Sequence, residues 1–391
     1  MGGHALKDVD VVRLPARLYM GLAERVVARL TDGVLFPGLH ARAIPALRTK
    51  PDFGDLDVLI THPDPDWGFD EAHRAALTAA FRPTRVVTNG PVLSFDVAAP
   101  GDIVGRGQPP LCGGTAHEAA PVSAGARFQV DLIRVPPEAF AFALGYFSYN
   151  DLGNLLGRVA RLHGFKLGHA GLFRPFRAPG NESHFVRDVL VTRDWAAALS
   201  FLGYDPDRWA YGFATQDEMF AFAASSQGFH PAAFPLEHRS HKARVRDRKR
   251  PTYTAFLAWL VHQQMLPTAE MSEDKKAQAN QWGLTCACEV FAPFRDAWRQ
   301  AQTDREELVA FRARFNGELV GRLTGLAGPA LGRHMAALRD QIDADPAVHA
   351  FVREASEAEL AVFLRDGTGP AGSDSPPHVG DGSRAAGEES V

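Results

Sequence analysis

Cysteine is scarce in this chain, with only Cys112, Cys286 and Cys288 among 391 residues. An odd and sparse set argues against a disulfide framework and favours a reducing compartment, so we expect a cytoplasmic protein. Cys286 and Cys288 have the spacing of half a zinc site, but no second Cys or His pair follows at ligand spacing. We therefore expect these two cysteines in a helical core.

Long apolar runs are absent as well. No stretch approaches the roughly 18 apolar residues of a membrane-spanning helix, and no charged segment followed by an apolar stretch marks a secretory signal. We therefore expect neither a membrane span nor a membrane partner. The net charge of −4 is small but unevenly distributed, and 391 residues suffice for two or three domains.

Two carboxylates alternate with apolar residues in Gly54-Asp55-Leu56-Asp57-Val58-Leu59-Ile60, which is the pattern of a strand. Side chains at i and i+2 of a strand point to the same face, so Asp55 and Asp57 should stand side by side. Phe128–Val135 predicts a second strand that could bring Asp131 to the same face. An ordinary turn or strand-end pair of aspartates is the alternative. Clustered carboxylates repel one another, however, so the pattern favours a site for a pair of Mg²⁺ ions.

These segments are similar to a known family. Gly54 to Pro63, GDLDVLITHP, resembles the first metal-binding strand of the DNA polymerase beta superfamily of nucleotidyltransferases. Asp131 to Phe165, DLIRVPPEAFAFALGYFSYNDLGNLLGRVARLHGF, resembles the strand that carries the family's third aspartate, its Tyr-Phe element and the helix that follows. The two segments occur in the family's order and at a similar separation.

The resemblance implies a role for each matching residue. Asp55, Asp57 and Asp131 would be the catalytic residues and would hold two Mg²⁺ ions, with Mn²⁺ as a substitute. Asp131 would also help to deprotonate the attacking hydroxyl. The remaining assignments are the following: Tyr146 and Phe147 against the nucleotide sugar, Asp151 and Asn154 beside the incoming base, Arg158 near the nucleic-acid strand, and Arg48, Lys50 and Gly54 in nucleotide binding.

Two departures from the family pattern concern nucleotide binding. The family carries Gly-Ser about ten residues before its first aspartate, where backbone N–H groups face the triphosphate. This chain has Ile44-Pro45-Ala46-Leu47-Arg48-Thr49-Lys50 instead, and Pro45 donates no N–H. Arg48 falls on a family arginine that contacts the phosphates, and Lys50 or Thr49 could assist. The second departure is Tyr149, where the polymerase has glycine; we expect Asn150 to take the strained conformation.

A basic run extends from residue 239 to residue 250 and contains one histidine and seven cations: Arg239, Lys242, Arg244, Arg246, Arg248, Lys249 and Arg250. Such a run could follow a phosphate backbone, with Arg244, Arg246 and Arg248 as nucleic-acid contacts. A solvated helix face or linker is the alternative that composition leaves open.

The hydrophobic pattern predicts the following elements: helices over 11–31, 69–81, 137–145, 151–163, 194–202 and 215–225; strands over 54–61 and 188–191 and at Asp131; a hairpin over 86–98 turning at Asn89-Gly90; an exposed loop over 100–125; and helices to about 365 with a break at 325–329. We expect an α+β fold in four parts: a polymerase beta-like palm of mixed sheet and helices (1–167), a small α/β thumb-like subdomain (168–250), a helical C-terminal domain (251–365) and a disordered tail (366–391). Because only about fifty residues precede Gly54, we expect the polymerase's N-terminal lyase domain to be absent.

The function that the resemblance implies is Mg²⁺-dependent transfer of a nucleoside monophosphate from a nucleoside triphosphate to a DNA or RNA 3′ end, with release of pyrophosphate. Two alternatives stay open. One is nucleotidyl transfer to a protein or small-molecule acceptor. The other is a nucleotide- or nucleic-acid-binding module with weakened catalysis, which the missing Gly-Ser suggests and the three intact carboxylates argue against.

Overall fold

A computed structural model describes residues 5–100, 125–178, 181–238, 241–265 and 271–367. Parts of three predicted segments lie outside the described residues: 101–124 of the loop together with Cys112, Arg239 of the basic run, and 368–391 of the tail. The chain divides into two compact units, Met1–Trp298 and Arg299–Val391. The boundaries predicted at 167/168 and 250/251 both fall inside the first unit.

The first unit begins with a mixed sheet and its flanking helices. In chain order the elements are β1 (Leu14–Pro15), α1 (Ala16–Leu30), β2 (His40–Ala43), β3 (Asp52–Phe53), β4 (Asp55–Thr61), α2 (Glu71–Phe81), β5 (Val86–Asn89), β6 (Val92–Ala98) and β7 (Arg127–Arg134). Five strands form a sheet in the order β2-β4-β7-β6-β5, in which β4 and β7 are parallel and the other pairs are antiparallel. The predicted α+β class with a mixed sheet is confirmed, as is the hairpin with positive φ at Gly90.

The two faces of β4 have different surroundings, which follows from its alternating sequence. Leu56, Val58 and Ile60 are fully buried and pack in one core with α1, whose residues Leu22 and Val26 are also buried. Apolar side chains on one face bury against a helix, so the intervening residues of the strand must face the other way. Asp55 and Asp57 therefore lie on the face opposite α1.

Helices cover part of the face that carries Asp55 and Asp57, and a smaller sheet follows these helices in the chain. The next elements are a short 3₁₀ helix (Pro137–Ala139), α3 (Phe140–Phe147), α4 (Leu152–Leu162), β8 (Lys166–Gly168), β9 (Gly171–Ala178) and β10 (Asn181–Thr192). Ala143 of α3 packs with Leu59 and Ile133, just beyond the carboxylates on β4 and β7. Strands β8, β9 and β10 form an antiparallel sheet in the order β10-β9-β8. The hydrophobic pattern had indicated only part of β10.

The rest of the first unit is helical. Its elements are α5 (Trp195–Phe201), α6 (Pro206–Tyr211), α7 (Gln216–Ala223), two 3₁₀ helices (Pro231–Ala233 and Leu236–His238), α8 (His241–Arg248), α9 (Pro251–His262) and α10 (Glu273–Val290), and the boundary between the units falls within α11 (Ala292–Arg314). Cys286 and Cys288 lie on helix α10, as predicted, but they are half-buried and not in the core as expected.

The second unit contains α12 (Gly317–Thr324), α13 (Gly328–Ala344), α14 (Pro346–Glu354) and α15 (Glu357–Asp366). Phe315, Val320, Ile342 and Phe363 belong to its core. The predicted break is confirmed, because α12 ends at Gly325 with a φ of 75°. Every helix in the described part of the chain is too short or too polar to span a bilayer.

Candidate metal and nucleotide site

Three carboxylates meet on the face of the sheet opposite α1. Strands β4 and β7 run parallel with Asp57 opposite Asp131, and Asp55 lies two pairs earlier, opposite Gln129. Each of Asp55, Asp57 and Asp131 offers a carboxylate oxygen, and these oxygens all lie within 4.8 Å of one another. The structure thus brings together the three aspartates that the sequence pattern had placed on one face.

The cluster carries more negative charge than its surroundings compensate. Burial and, after it, the neighbouring Asp55 carboxylate raise the pKa of Asp57 to about 7. Burial also raises the pKa of Asp131, although hydrogen bonds from Ser94 and Gln129 oppose the shift. A divalent cation relieves this kind of strain, because Mg²⁺ prefers oxygen ligands and neutralises the repulsion. The donor set therefore fits a divalent metal ion.

The site rests on two rows of polar side chains that cross the sheet. One row runs Asp57, Asp131, Ser94 across β4, β7 and β6. The Nε2 group of Gln129 donates hydrogen bonds to both Asp131 oxygens, at 2.9 and 3.0 Å. Its Oε1 atom is buried without a hydrogen-bond partner among the described residues, and the side chain is 1% exposed. Gln129 was not among the predicted site residues, although its place two residues before Asp131 on the same strand face could have indicated it.

The second row consists of Asp55, Gln129 and Asp96. Its last carboxylate, that of Asp96, has partners within the chain that neutralise its charge. Asp96 is fully buried and pairs with Arg127, while the backbone N–H groups of Thr84 and Arg85 also donate to it. Burial alone would raise the pKa of Asp96, but these donors together lower it. Asp96 is therefore compensated within the chain, whereas the pKa values of Asp57 and Asp131 are raised.

The segment Ile44–Lys50, which the sequence resemblance aligns with a Gly-Ser helix, forms no helix here. Three of its N–H groups are used within the chain: Ile44 donates to Asp57 O at 3.0 Å, Arg48 to Phe213 O at 3.0 Å and Thr49 to Ala214 O at 3.1 Å. The Arg48 guanidinium donates to Tyr211 O at 2.8 Å and lies 4.8 Å from the Tyr211 ring centroid. The N–H groups of Ile44, Arg48 and Thr49 are therefore not open to a phosphate.

Lys50 and Gly54 lie closer to the carboxylates. The Lys50 ammonium is 4.4 Å from the Phe53 ring centroid. Its pKa is lowered by burial, which the negative charges of Asp55 and Asp57 partly offset. Gly54 directly precedes β4, and a Cβ there would come within 2.9 Å of Arg13 Nη1. Lys50 is thus a cation that lies near Asp55 and Asp57.

A cavity of about 820 Å³ opens beside the same segment. Its lining includes α1 and three cations, Arg42, Arg48 and Lys50, but none of the three clustered aspartates. Aromatic rings from Tyr19, Phe53, Tyr149 and Tyr211 form much of its wall.

Tyr146 and Phe147 form the last turn of α3, where it approaches the sheet. Phe147 packs with the cluster around Leu59 and Ile133, and its ring stacks on His169 with centroids 5.5 Å apart. Burial raises the pKa of Tyr146, and the nearest charges are those of Arg250, Asp151 and Arg246. Tyr146 and Phe147 therefore lie between the sheet that carries the three aspartates and the start of α4.

The turn after Phe147 differs from the prediction. Tyr149 and Asn150 both have a φ of 60°, so the strain is not confined to Asn150. The buried Tyr149 ring packs edge-on against Phe213, and the Tyr149 N–H donates to Pro45 O at 2.8 Å. These contacts explain how a bulky residue is held at a position that favours glycine.

Asp151, Asn154 and Arg158 lie along one side of α4 and already have partners within the chain. Arg250 Nη1 pairs with Asp151 Oδ1 at 2.7 Å, and Asn154 Nδ2 donates to the same oxygen at 3.3 Å. Arg158 Nη2 donates to Ala233 O at 2.6 Å. Arg250, which sequence reasoning had placed only in a basic run, is therefore a neighbour of the predicted base-contacting residues.

The basic run forms helix α8 and the turn that follows it. Arg246 and Arg248 are exposed and Arg244 is half-exposed, whereas the one acid of the helix, Asp247, is buried. Arg246 contacts Asp247 at 3.1 Å and is one of the positive charges near Tyr146. The basic run is therefore partly exposed to solvent, as the alternative of a solvated helix face predicts. Arg246 and Arg250, at its C-terminal end, lie near Tyr146 and Asp151, two of the predicted nucleotide-binding residues.

No model of a known protein family matches this chain, and no curated protein matches it either.

Proposed function

We propose that this protein is a metal-dependent nucleotidyltransferase with a polymerase beta-like palm, which transfers a nucleoside monophosphate from a nucleoside triphosphate to a nucleic-acid 3′ end. The observation that carries the proposal is the cluster of Asp55, Asp57 and Asp131, on adjacent parallel strands with oxygens within 4.8 Å. The resemblance of GDLDVLITHP and of the segment after Asp131 to the polymerase beta superfamily supports the same reaction.

The three aspartates would hold the metal ions, Mg²⁺ by preference. When bound, such ions neutralise charge on the reacting phosphate and lower the pKa of a coordinated hydroxyl. The chain's own contribution is positional, because Gln129 fixes both Asp131 oxygens and the packing of β4 against α1 fixes Asp55 and Asp57.

The bond changes follow from the reactants. The acceptor hydroxyl oxygen bonds to the α-phosphorus, the bond from that phosphorus to the bridging oxygen breaks, and pyrophosphate leaves with the electron pair. Asp131 would receive the hydroxyl proton. Lys50, beside Asp55 and Asp57, and Arg48 offset the negative charge of the triphosphate. Tyr146 and Phe147 would bound the sugar at the end of α3.

A nucleic-acid acceptor is favoured by charge. Helix α8 presents exposed cations, and its end reaches Tyr146 and Asp151 through Arg250. Positive charge that continues into the site would guide a phosphate backbone toward the carboxylates.

One observation favours a small acceptor instead. The cavity of about 820 Å³ is within the size range of small-molecule sites, and Arg48 and Lys50 line it. The engaged N–H groups of Arg48 and Thr49 also keep open the binding module with weakened catalysis.

The test is incubation with Mg²⁺ or Mn²⁺, each labelled nucleoside triphosphate, and a panel of single-stranded and annealed DNA and RNA primers with free 3′ hydroxyls. We expect stepwise primer extension with release of pyrophosphate, abolished by chelator. Asp66→Asn, which changes an exposed aspartate just after β4, is the matched control and should retain the wild-type rate. Release of pyrophosphate only with a small alcohol or protein acceptor would favour the small-acceptor alternative, and nucleotide binding without turnover would favour the binding module.

A further inference from the structure

Helix α4 is the element along which the proposed nucleotide contacts lie, and it is enclosed by the chain itself. Among residues Leu152–Leu162, only Arg161 is exposed. Leu152, Leu155 and Leu156 are buried in the core, as expected for an amphipathic helix. The side that carries Asn154 and Arg158 is half-buried rather than open.

The covering element is the segment from residue 228 to residue 250, in its described parts 228–238 and 241–250. The segment contacts Arg158 within α4 and the two residues that flank the helix, Asp151 and His163. Arg250 pairs with Asp151 at 2.7 Å at the N-terminal end, Ala233 O accepts from Arg158 at 2.6 Å in the middle, and Gly228 O accepts from the His163 ring at 3.0 Å at the C-terminal end.

This covering segment is anchored in a core of its own. Phe234, Tyr253 and Phe256 are buried, with the Phe234 and Phe256 rings 5.1 Å apart. The Tyr253 hydroxyl donates to Phe234 O at 2.6 Å. Buried aromatic contacts of this kind stabilise the segment on α4, so a ligand would have to displace packed structure to use that side of the helix.

We infer that the proposed transfer is untemplated and that its acceptor is a single strand. The inference rests on the proposed function, in which the incoming base lies beside Asp151 and Asn154. A templating strand must pair with that base, so it would have to run along α4 where residues 228–250 lie. A single strand needs only a charged path for its backbone, which α8 provides up to Arg250.

The direct test uses one labelled DNA primer, free or annealed to four templates that differ only in the first templating base. Each is incubated with Mg²⁺ and one nucleoside triphosphate at a time. We expect the free primer to be extended fastest, and the choice of nucleotide to vary less than about threefold among the templates. A preference of about tenfold or more for the complementary nucleotide would overturn the inference while leaving the proposed function intact, because specificity is a difference set by pairing. Failure of every primer to be extended would instead defeat the proposed function.

A binding measurement tests the same inference without turnover. Fluorescence anisotropy compares a labelled single strand with the same strand in a duplex. A surface that offers charge alone binds the denser charge of the duplex at least as well. We expect the single strand to bind more tightly, and tighter binding of the duplex would overturn the inference.

Matched variants connect that preference to α4. Arg250→Gln opens the end of α4 at Asp151 and should raise the ratio of duplex to single-strand affinity at least threefold. Arg161→Gln removes a cation from the exposed side of the same helix and should leave the ratio unchanged. An unchanged ratio in both variants would overturn the role of the covering segment.

Discussion

Two kinds of buried carboxylate occupy the same face of one sheet. Asp96 on β6 receives an ion pair from Arg127 and backbone hydrogen bonds from Thr84 and Arg85, and its pKa is lowered. Asp57 and Asp131 lie among other acids, and burial raises their pKa values. The chain compensates the first carboxylate and leaves the others in need of positive charge. Full compensation indicates a structural role, and its lack at a cluster indicates a ligand site.

The largest expected effect is the loss of the compensated carboxylate. Asp96→Asn removes the negative charge that neutralises Arg127 in a buried site, so we expect a loss of roughly 3–5 kcal/mol in the free energy of unfolding. Urea denaturation measures it. The double variant Asp96→Asn with Arg127→Gln should be less destabilised than the sum of the two single variants, because the residues act as a pair. A loss below about 1 kcal/mol in the free energy of unfolding would show that Asp96 does not have a structural role.

Asp131→Ala should have the opposite effect from Asp96→Asn, because it should reduce activity without reducing stability. It would remove a proposed metal ligand and the proposed proton acceptor, so we expect nucleotidyl transfer to fall at least about a hundredfold, corresponding to a loss of about 3 kcal/mol of transition-state stabilisation. The melting temperature in chelator should not fall, because repulsion within the cluster is relieved. Primer extension measures the rate of nucleotidyl transfer, and thermal denaturation measures the melting temperature. More than a tenth of the wild-type rate would remove Asp131 from the mechanism, and a lower melting temperature would make it structural.

Gln129 lies between the acidic cluster and the compensated carboxylate, because it is paired with Asp55 on one side and with Asp96 on the other. Gln129→Leu keeps the volume but removes both donors to Asp131, so we expect a loss of about 10–100-fold in metal affinity or activity. Titration of the rate with Mg²⁺ separates the possibilities. If Gln129 orients Asp131, the half-saturating Mg²⁺ concentration should rise and excess Mg²⁺ should restore part of the rate. An unchanged Mg²⁺ dependence with a lower melting temperature would assign Gln129 to packing alone.

Arg48 tests whether side chains replace the missing Gly-Ser helix. Arg48→Ala should weaken binding of a nucleoside triphosphate by about tenfold and of a monophosphate much less, because charge-assisted contacts to the outer phosphates would be lost. Arg42→Ala, which removes another cation of the same cavity, is the control and should change neither. Equal losses for both nucleotides would show that Arg48 does not contact the outer phosphates.

The carboxylate face was predictable because its causes are local. Alternation in β4 and β7 fixes which residues share a face, and the apolar residues between them fix which face is buried. The covering of α4 and the bonds of Arg48 and Thr49 were not predictable. They depend on Phe213, Ala214, Ala233 and Arg250, which lie far away in sequence and carry no pattern that indicates their partners. Compensation of Asp96 by Arg127 was missed for the same reason, since the two residues are 31 positions apart.

The smallest expected effect is a difference in how stability depends on pH. In the folded, metal-free protein the pKa of Asp57 is about 7, raised from an ordinary value of 3.8. Between these values the folded state holds a proton that the unfolded state lacks, so stability falls as pH rises from about 4 to about 7. Asp96, whose folded pKa is lowered, contributes in the opposite direction, and its contribution is lost on acidification. In chelator we therefore expect the melting temperature to fall by a few degrees between pH 5 and pH 8. Asp57→Asn should reduce this fall, and the raised pKa of Asp131 accounts for what remains. Saturating Mg²⁺ should suppress the fall, because a bound cation favours the ionised carboxylate without protonation. A fall that is as steep in Asp57→Asn as in the wild type would show that Asp57 is not its source, and that Asp57 and Asp96 do not differ in the way their surroundings indicate.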